Sequence, residues 1–124
     1  MPGRPVVGIV DDDESVRKSL KKVVSAHNCT AEAFASAEEF LQSDHLSDFD
    51  CLVIDVVLPG MNGLGLQERL AEANRRIPIV FISATDDECL RAQALGAGAS
   101  SFLLKPFGKS TLLGAIDAAL NPEI

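Results

Sequence analysis

Val6-Val7-Gly8-Ile9-Val10-Asp11-Asp12-Asp13-Glu14 is the stretch from which the fold can be read. Its first five residues are apolar at consecutive positions and mostly β-branched. That suits a strand buried on both faces, as in a parallel sheet. Four acids then interrupt the run. A helix fits residues 14–26, because Val16, Leu20, Val23 and Val24 fall at i, i+4, i+7 and i+8. Arg17, Lys18, Lys21 and Lys22 take the opposite side. Strand, acidic turn and amphipathic helix make one βα unit.

The alternation continues along the chain. Asn28 stops the first helix, and Cys29–Phe34 reads as a more polar strand at a sheet edge. Ser36-Ala37-Glu38-Glu39 is a capping box: the serine accepts from the backbone N–H three residues on, and Glu39 reaches back. It opens a short helix carrying Phe40 and Leu41. Asp50–Asp55 is a third strand, apolar between two acids. Pro59-Gly60 and Asn62-Gly63 are turn signals, and a helix over about 64–74 carries Leu66 and Leu70. Pro78–Ser83 is the clearest strand; Asp86 caps a helix through Leu95 that Gly96 or Gly98 ends. Ser101–Leu104 is a fifth strand, and Lys105-Pro106-Phe107 a loop, since a residue before proline is pushed out of the α region. The last helix covers about 109–120, with Leu112, Leu113, Ile116 and Leu120 on one face, and Asn121-Pro122 ends it. Five βα units predict an α/β fold: a doubly wound, five-stranded parallel sheet with right-handed crossovers, flanked by five helices.

Length and composition agree. A chain of 124 residues is one domain, 1–124, with its core over about 5–120. It can bury roughly two-thirds of its unfolded surface, and a hydrophobic fraction of 47% argues against disorder. Eighteen acids against 11 bases give a net charge of −7, so the domain repels nucleic-acid phosphates. With no Trp or Tyr and six Phe, it has no base-stacking platform. No apolar run approaches membrane-spanning length, and no signal-peptide pattern opens the chain. Cys29, Cys51 and Cys89 are odd in number and widely spaced, which argues against a disulfide or zinc framework. They read as reduced, mostly buried thiols of a cytoplasmic protein. His27 and His45 read as surface residues.

Parallel α/β sheets bind ligands outside the carboxyl ends of their strands. Asp11 and Asp12 follow strand 1, Asp55 ends strand 3, Ser83 ends strand 4 and Lys105 follows strand 5. Each has a plainer reading alone: helix-capping acids, a turn cap, a loop hydroxyl, a solvated charge. Their joint placement at one sheet edge weakens all of these. If strands 1 and 3 are neighbours, their ends lie about 4.8 Å apart and the three carboxylates converge, with Ser83 and Lys105 approaching from the far side. Clustered carboxylates repel unless a cation joins them, and oxygen-only ligands favour a hard ion, Mg²⁺ before Ca²⁺. A carboxylate beside such an ion can attack phosphorus. The transferred group spreads charge over three oxygens, for which the metal, Lys105 and Ser83 are partners.

At this point the sequence resembles the response regulator receiver domain, the CheY-like family. The matching residues are Val10-Asp11-Asp12, Asp55 with Pro59 and Gly63 downstream, Ser83-Ala84, Phe102 and Lys105-Pro106. The resemblance implies a flavodoxin-like sheet of order 2-1-3-4-5. It implies that Asp55 takes a phosphoryl group from a sensor histidine kinase or a small phosphodonor. Asp12, Asp55 and the Val57 carbonyl would ligate Mg²⁺ (or Mn²⁺) directly, with Asp11 acting through water. Lys105 would hold the phosphoryl group, Ser83 and Phe102 would form a switch pair, and Lys105-Pro106 would be cis. The outcome would be two-component signalling through the face of the fourth helix, fifth strand and fifth helix, where Asp86, Asp87, Glu88, Leu90 and Arg91 lie, with a homodimer as one consequence of phosphorylation. The stretches Val16–Leu20 and Ser36–Phe40 are similar to receivers of nitrogen-fixation-type regulators that precede helix-turn-helix output domains. By itself this domain would bind no nucleic acid and no membrane. Its place in a longer regulator, or alone as an adaptor, is open.

Some positions depart from the family pattern. Ser83 stands where Thr is commoner, and Phe102 lacks the hydroxyl of the commoner Tyr. Val57 and Thr85, which flank the expected path of an attacking water, are neither acid nor amide, so self-dephosphorylation should be slow. The protein is expected to be a switch and not an enzyme. A haloacid-dehalogenase-type phosphatase needs a second Asp two residues after the nucleophile, where Val57 stands, and a substrate cap. A pseudo-receiver binding module would lack an acid or the lysine, and all are present. A flavin-binding module would want hydroxyls and Gly after strand 1, where four acids stand.

Overall fold

The computed structural model describes residues 4–44 and 46–121; His45 and Pro122, read above as a surface residue and a helix terminator, lie outside them. Five strands, β1 (Val6–Val10), β2 (Thr30–Phe34), β3 (Cys51–Asp55), β4 (Ile79–Ser83) and β5 (Ser101–Leu104), form one sheet. The order is β2-β1-β3-β4-β5 and every pairing is parallel. Between and after them run α1 (Glu14–Ala26), α2 (Ala37–Leu41), α3 (Gly63–Glu72), α4 (Glu88–Gly96) and α5 (Lys109–Leu120), with a 3₁₀ turn at Leu46–Asp48.

The period of two along each strand divides the core into two layers. Val7, Ile9, Cys51, Val53, Val80 and Ile82 meet Leu20 and Val24 of α1 and Leu112 and Ile116 of α5. Val10, Leu52, Ile54 and Phe81 meet Phe40 of α2, Leu66 and Leu70 of α3 and Ala94 of α4. Covering both faces is why the central strands read as unbroken apolar runs; β3 and β4 are buried at every position. Phe34, Phe40 and Phe49 add tilted and edge-on ring contacts beneath the β2 side, with centroids 5.2–6.0 Å apart.

Most element ends follow local chemistry. Asp13 caps α1 by accepting from the N–H groups of Ser15 and Val16. The capping box forms in a shifted version: Ser36 Oγ accepts from Glu39 N at 3.0 Å, while Glu39 reaches back to Ala35 N at 3.2 Å. The cap of α4 is Asp87 and not Asp86, since Asp87 Oδ1 accepts from Cys89 N and Leu90 N; the helix therefore starts at Glu88. The α3 helix starts and ends earlier than its apolar pattern suggests, because Asn62 caps it and Asn74 has left-handed φ (62°) just beyond it. The β2 strand starts at Thr30, one residue after Cys29.

His27 lies at the surface, partly covered, and has a partner there: its Nε2 lies 3.0 Å from Asp117 Oδ1, tying the end of α1 to α5. Cys29 and Cys51 are buried and Cys89 is exposed; all three are free. Burial pushes the Cys29 thiol up and that of Cys51 to about 12, so neither is a reactive thiolate at neutral pH. Among the described residues, no helix is long and apolar enough to cross a membrane.

Candidate functional site

The pairing register places the polar residues. Val10 pairs with Ile54, so Asp11 and Asp55 are the next residues along two adjacent strands, at their carboxyl ends. Asp55 pairs with Ile82 and Ser83 with Leu104, which brings Lys105 to the same edge. A backbone bond from Lys105 N to the Ser83 carbonyl, 2.7 Å, anchors the loop there, and the Lys105–Pro106 peptide is cis.

Carboxylate oxygens of Asp11, Asp12 and Asp55 all lie within 4.8 Å of one another. Asp11 is fully buried, Asp55 nearly so, and Asp12 is exposed. Lys105 Nζ donates to Asp11 Oδ2 at 3.0 Å and to Asp55 Oδ2 at 2.9 Å. The remaining oxygens are held from the backbone: Asp11 Oδ1 accepts from Asp13 N and Asp55 Oδ1 from Val57 N, both at 2.9 Å. These four bonds fix two carboxylates in place while leaving Asp12 to solvent.

The electrostatics are those of a crowded acidic site. Burial raises the pKa of Asp11, and the nearby Asp55 charge adds to this; the Asp13 N–H and Lys105 pull the other way. For Lys105, burial works against the charge, but the hydrogen bonds to Asp55 and Asp11 outweigh it and the pKa is raised. One ammonium among three carboxylates leaves an excess of negative charge. The donors are all hard oxygens, one of them solvent-facing, which fits a divalent hard cation.

The other expected residues fall as follows. Ser83 is buried at the end of β4 and does not reach the carboxylates; its Oγ donates to the Thr85 carbonyl at 2.9 Å and accepts from Thr85 N at 3.0 Å. Phe102 is half-buried against the α3–α4 layer of the core. Val57 projects outward beside the cluster with 58% of its surface exposed. The apolar pattern places Arg17 only on the polar side of α1, yet its Nη1 donates to the Asp11 carbonyl at 2.9 Å. Its position one turn into a helix that starts just after the acids is the signal that could have marked it.

Comparison with known proteins agrees with this fold. The family model for the response regulator receiver domain matches residues 7–117. The response regulator protein TodT of Pseudomonas putida is 43% identical over 116 residues, covering 94% of this chain and 51% of TodT. The solved structure of response regulator StyR superposes with a TM-score of 0.89 at 41% identity, covering 97% of this chain and 61% of that one. The FixJ-N crystal structure superposes with a TM-score of 0.87 at 32% identity over all of this chain and 98% of that one. The chain spans about half the length of the curated relatives it matches.

Proposed function

The chain belongs to the response regulator receiver family of two-component signalling, and from that premise we propose that Asp55 is its phosphoacceptor. The observation that carries the proposal is Lys105 bridging Asp11 and Asp55 at the mouth of the sheet, with Asp12 alongside. A carboxylate oxygen of Asp55 attacks phosphorus as the donor's P–N bond (phosphohistidine) or P–O bond (acyl phosphate) breaks, its electron pair leaving with the donor. The bond to Val57 N holds the Asp55 carboxylate in one orientation for that attack.

Asp11, Asp12 and Asp55 with the Val57 carbonyl are the residues that would hold Mg²⁺, or Mn²⁺; the ion supplies positive charge against the phosphoryl oxygens. Lys105 is already within hydrogen-bonding distance of Asp55 and so pairs with a phosphoryl oxygen added there. On this reading Ser83 turns about its Cα–Cβ bond, releases the Thr85 carbonyl and points its hydroxyl to the phosphate. The Ser83–Thr85 loop then moves, and Phe102 turns further into the core. New charge at one site thus biases two packings of the β4–α4 segment.

The readout surface lies on α4, β5 and α5. A groove of about 210 Å³ there is lined by Asp86, Arg91, Phe102, Leu104 and Phe107 among others, and Leu95 and Leu104 are exposed apolar residues. On this reading the partners are a sensor histidine kinase, an output domain or target on that surface, and a second copy after phosphorylation. The protein is a cytoplasmic switch that turns over its own phosphate, not an enzyme acting on free substrates. Incubation with Mg²⁺ and acetyl phosphate should add one phosphoryl mass to the parent and none to Asp55→Asn. Equal labelling of both proteins would reject Asp55 as the acceptor.

A further inference from the structure

The loop joining β3 to α3 carries Val57 and is held at its two ends by its own backbone N–H groups. Val57 N donates to Asp55 Oδ1, and Gly63 N donates to the Val56 carbonyl at 2.9 Å. The tip is different. Leu58-Pro59-Gly60-Met61 has proline followed by glycine at φ +71°, the pattern of a type II turn. In such a turn the fourth N–H often closes on the first carbonyl. Here Met61 N donates instead to Glu38 Oε2 of α2, at 3.0 Å and from 23 residues away. The carboxylate is seated tightly over the turn: a β-carbon on Gly60 would lie 2.6 Å from Glu38 Oε2. Gly60 therefore serves twice, supplying the left-handed φ and the space for Glu38. Glu38 is exposed to solvent, so it is not a core residue with a packing duty. Its pKa is lowered, first by the Met61 N–H and then by its own backbone N–H, which keeps it ionised as a charge-assisted acceptor.

We infer that Glu38 is a positioning residue for phosphoryl transfer: by accepting the Met61 N–H it clamps the tip of the β3–α3 loop and so holds the Val57 carbonyl and the Asp55 carboxylate where the cation and phosphorus are met. The inference rests on the reading of Asp55 as phosphoacceptor. Glu38 touches neither the donor nor the carboxylate cluster; it acts only through the loop. Loss of a partner bonded directly to a metal ligand weakens metal binding about ten- to a hundredfold; Glu38 bonds one step further out, which places its loss at the low end of that range.

The test is a Mg²⁺ titration followed by the backbone amide signals of residues 55–61, with hydrogen exchange at Met61, on the parent, Glu38→Ala and Glu38→Gln. Glu38→Ala should weaken Mg²⁺ binding about tenfold and speed Met61 amide exchange, with little change in melting temperature. Glu38→Gln keeps a neutral acceptor and should recover most of the affinity, which a loss of general stability would not do. Labelling by acetyl phosphate should slow in the same order. Unchanged Mg²⁺ affinity and unchanged Met61 exchange in Glu38→Ala would overturn the clamp. Failure of the parent to take phosphate while the amide titration still separates the variants would reject the phosphoacceptor reading and leave the clamp standing.

Discussion

Lys105 sits where the physics of the site is most constrained. It donates to two carboxylates, and for Asp11 it works against a pKa that burial raises. Its own pKa is raised by the same contacts, so wherever the carboxylates are ionised their contribution to stability is full below 10.5 and is lost as pH climbs through the folded-state value. The ammonium thus holds the Asp55 carboxylate in one orientation. Val57 has the opposite character: an exposed aliphatic group beside Asp55, the proposed nucleophile, with nothing on it to orient water. A hydrolytic water at the phosphorylated residue therefore lacks a partner from this position. Val57→Asn should shorten the phosphorylated lifetime, on the order of tenfold, below the usual yield of a residue that transfers a proton. The check is decay of the phosphorylated mass after donor removal, and decay no faster than the parent's would count against the assignment.

At the scale of elements, the site depends on how closely α3 approaches the end of β3. Gly63, the first residue of α3, permits that approach: a β-carbon there would lie 2.7 Å from the Asp55 carbonyl oxygen and 2.9 Å from Val56 Cα. These are backbone atoms, so the strain cannot be relieved by a side-chain rotation. Gly63→Ala should cost about 1–3 kcal/mol in urea unfolding and slow acetyl phosphate labelling by displacing the end of β3; an unaltered unfolding midpoint would show that the helix can back away freely. The asparagine-glycine pair announced this turn in the sequence, as did the apolar runs of β1, β3 and β4 and the acids and lysine at their ends. Those features are legible because each is local: a period, a cap, a breaker. The cap of α4 was misplaced by one residue since Asp86 and Asp87 offer the same side chain and only the backbone angles choose between them. The sequence pattern places Arg17 only on the polar side of α1 and Glu38 only within the capping box of α2. Their partners, the Asp11 carbonyl and the Met61 N–H, are backbone groups whose positions exist only once the chain is folded. Ser83 was placed at the right strand end, but whether its hydroxyl faces the acids or Thr85 depends on a torsion that no sequence pattern encodes.

For the whole molecule, a net charge of −7 and a site with three carboxylates to one lysine make stability sensitive to cations and protons together. The sign follows from Asp11, whose folded pKa is raised above 3.8, so the native state binds this proton more tightly than the unfolded chain does. Between 3.8 and the raised value, ionisation costs the native state more than the unfolded one, and this residue's contribution to stability falls as pH rises through that window. A divalent ion held there as proposed would reverse the balance by favouring the ionised cluster. At a Mg²⁺ concentration tenfold above its Kd the gain is about 1.4 kcal/mol, or roughly 5 °C in Tm for a domain of this size. Protons and Mg²⁺ compete for the same oxygens, so the Mg²⁺-dependent rise in Tm should be larger at about pH 8 than at about pH 5. Asp12 supplies the third carboxylate without bonding to Lys105. Asp12→Asn should therefore raise Tm in EDTA, by removing a like charge, and shrink the increment that Mg²⁺ confers. Thermal melts of the two proteins with and without Mg²⁺ at both pH values test this directly. An increment that is independent of pH, or undiminished in Asp12→Asn, would place the cation somewhere other than the mouth of β1 and β3.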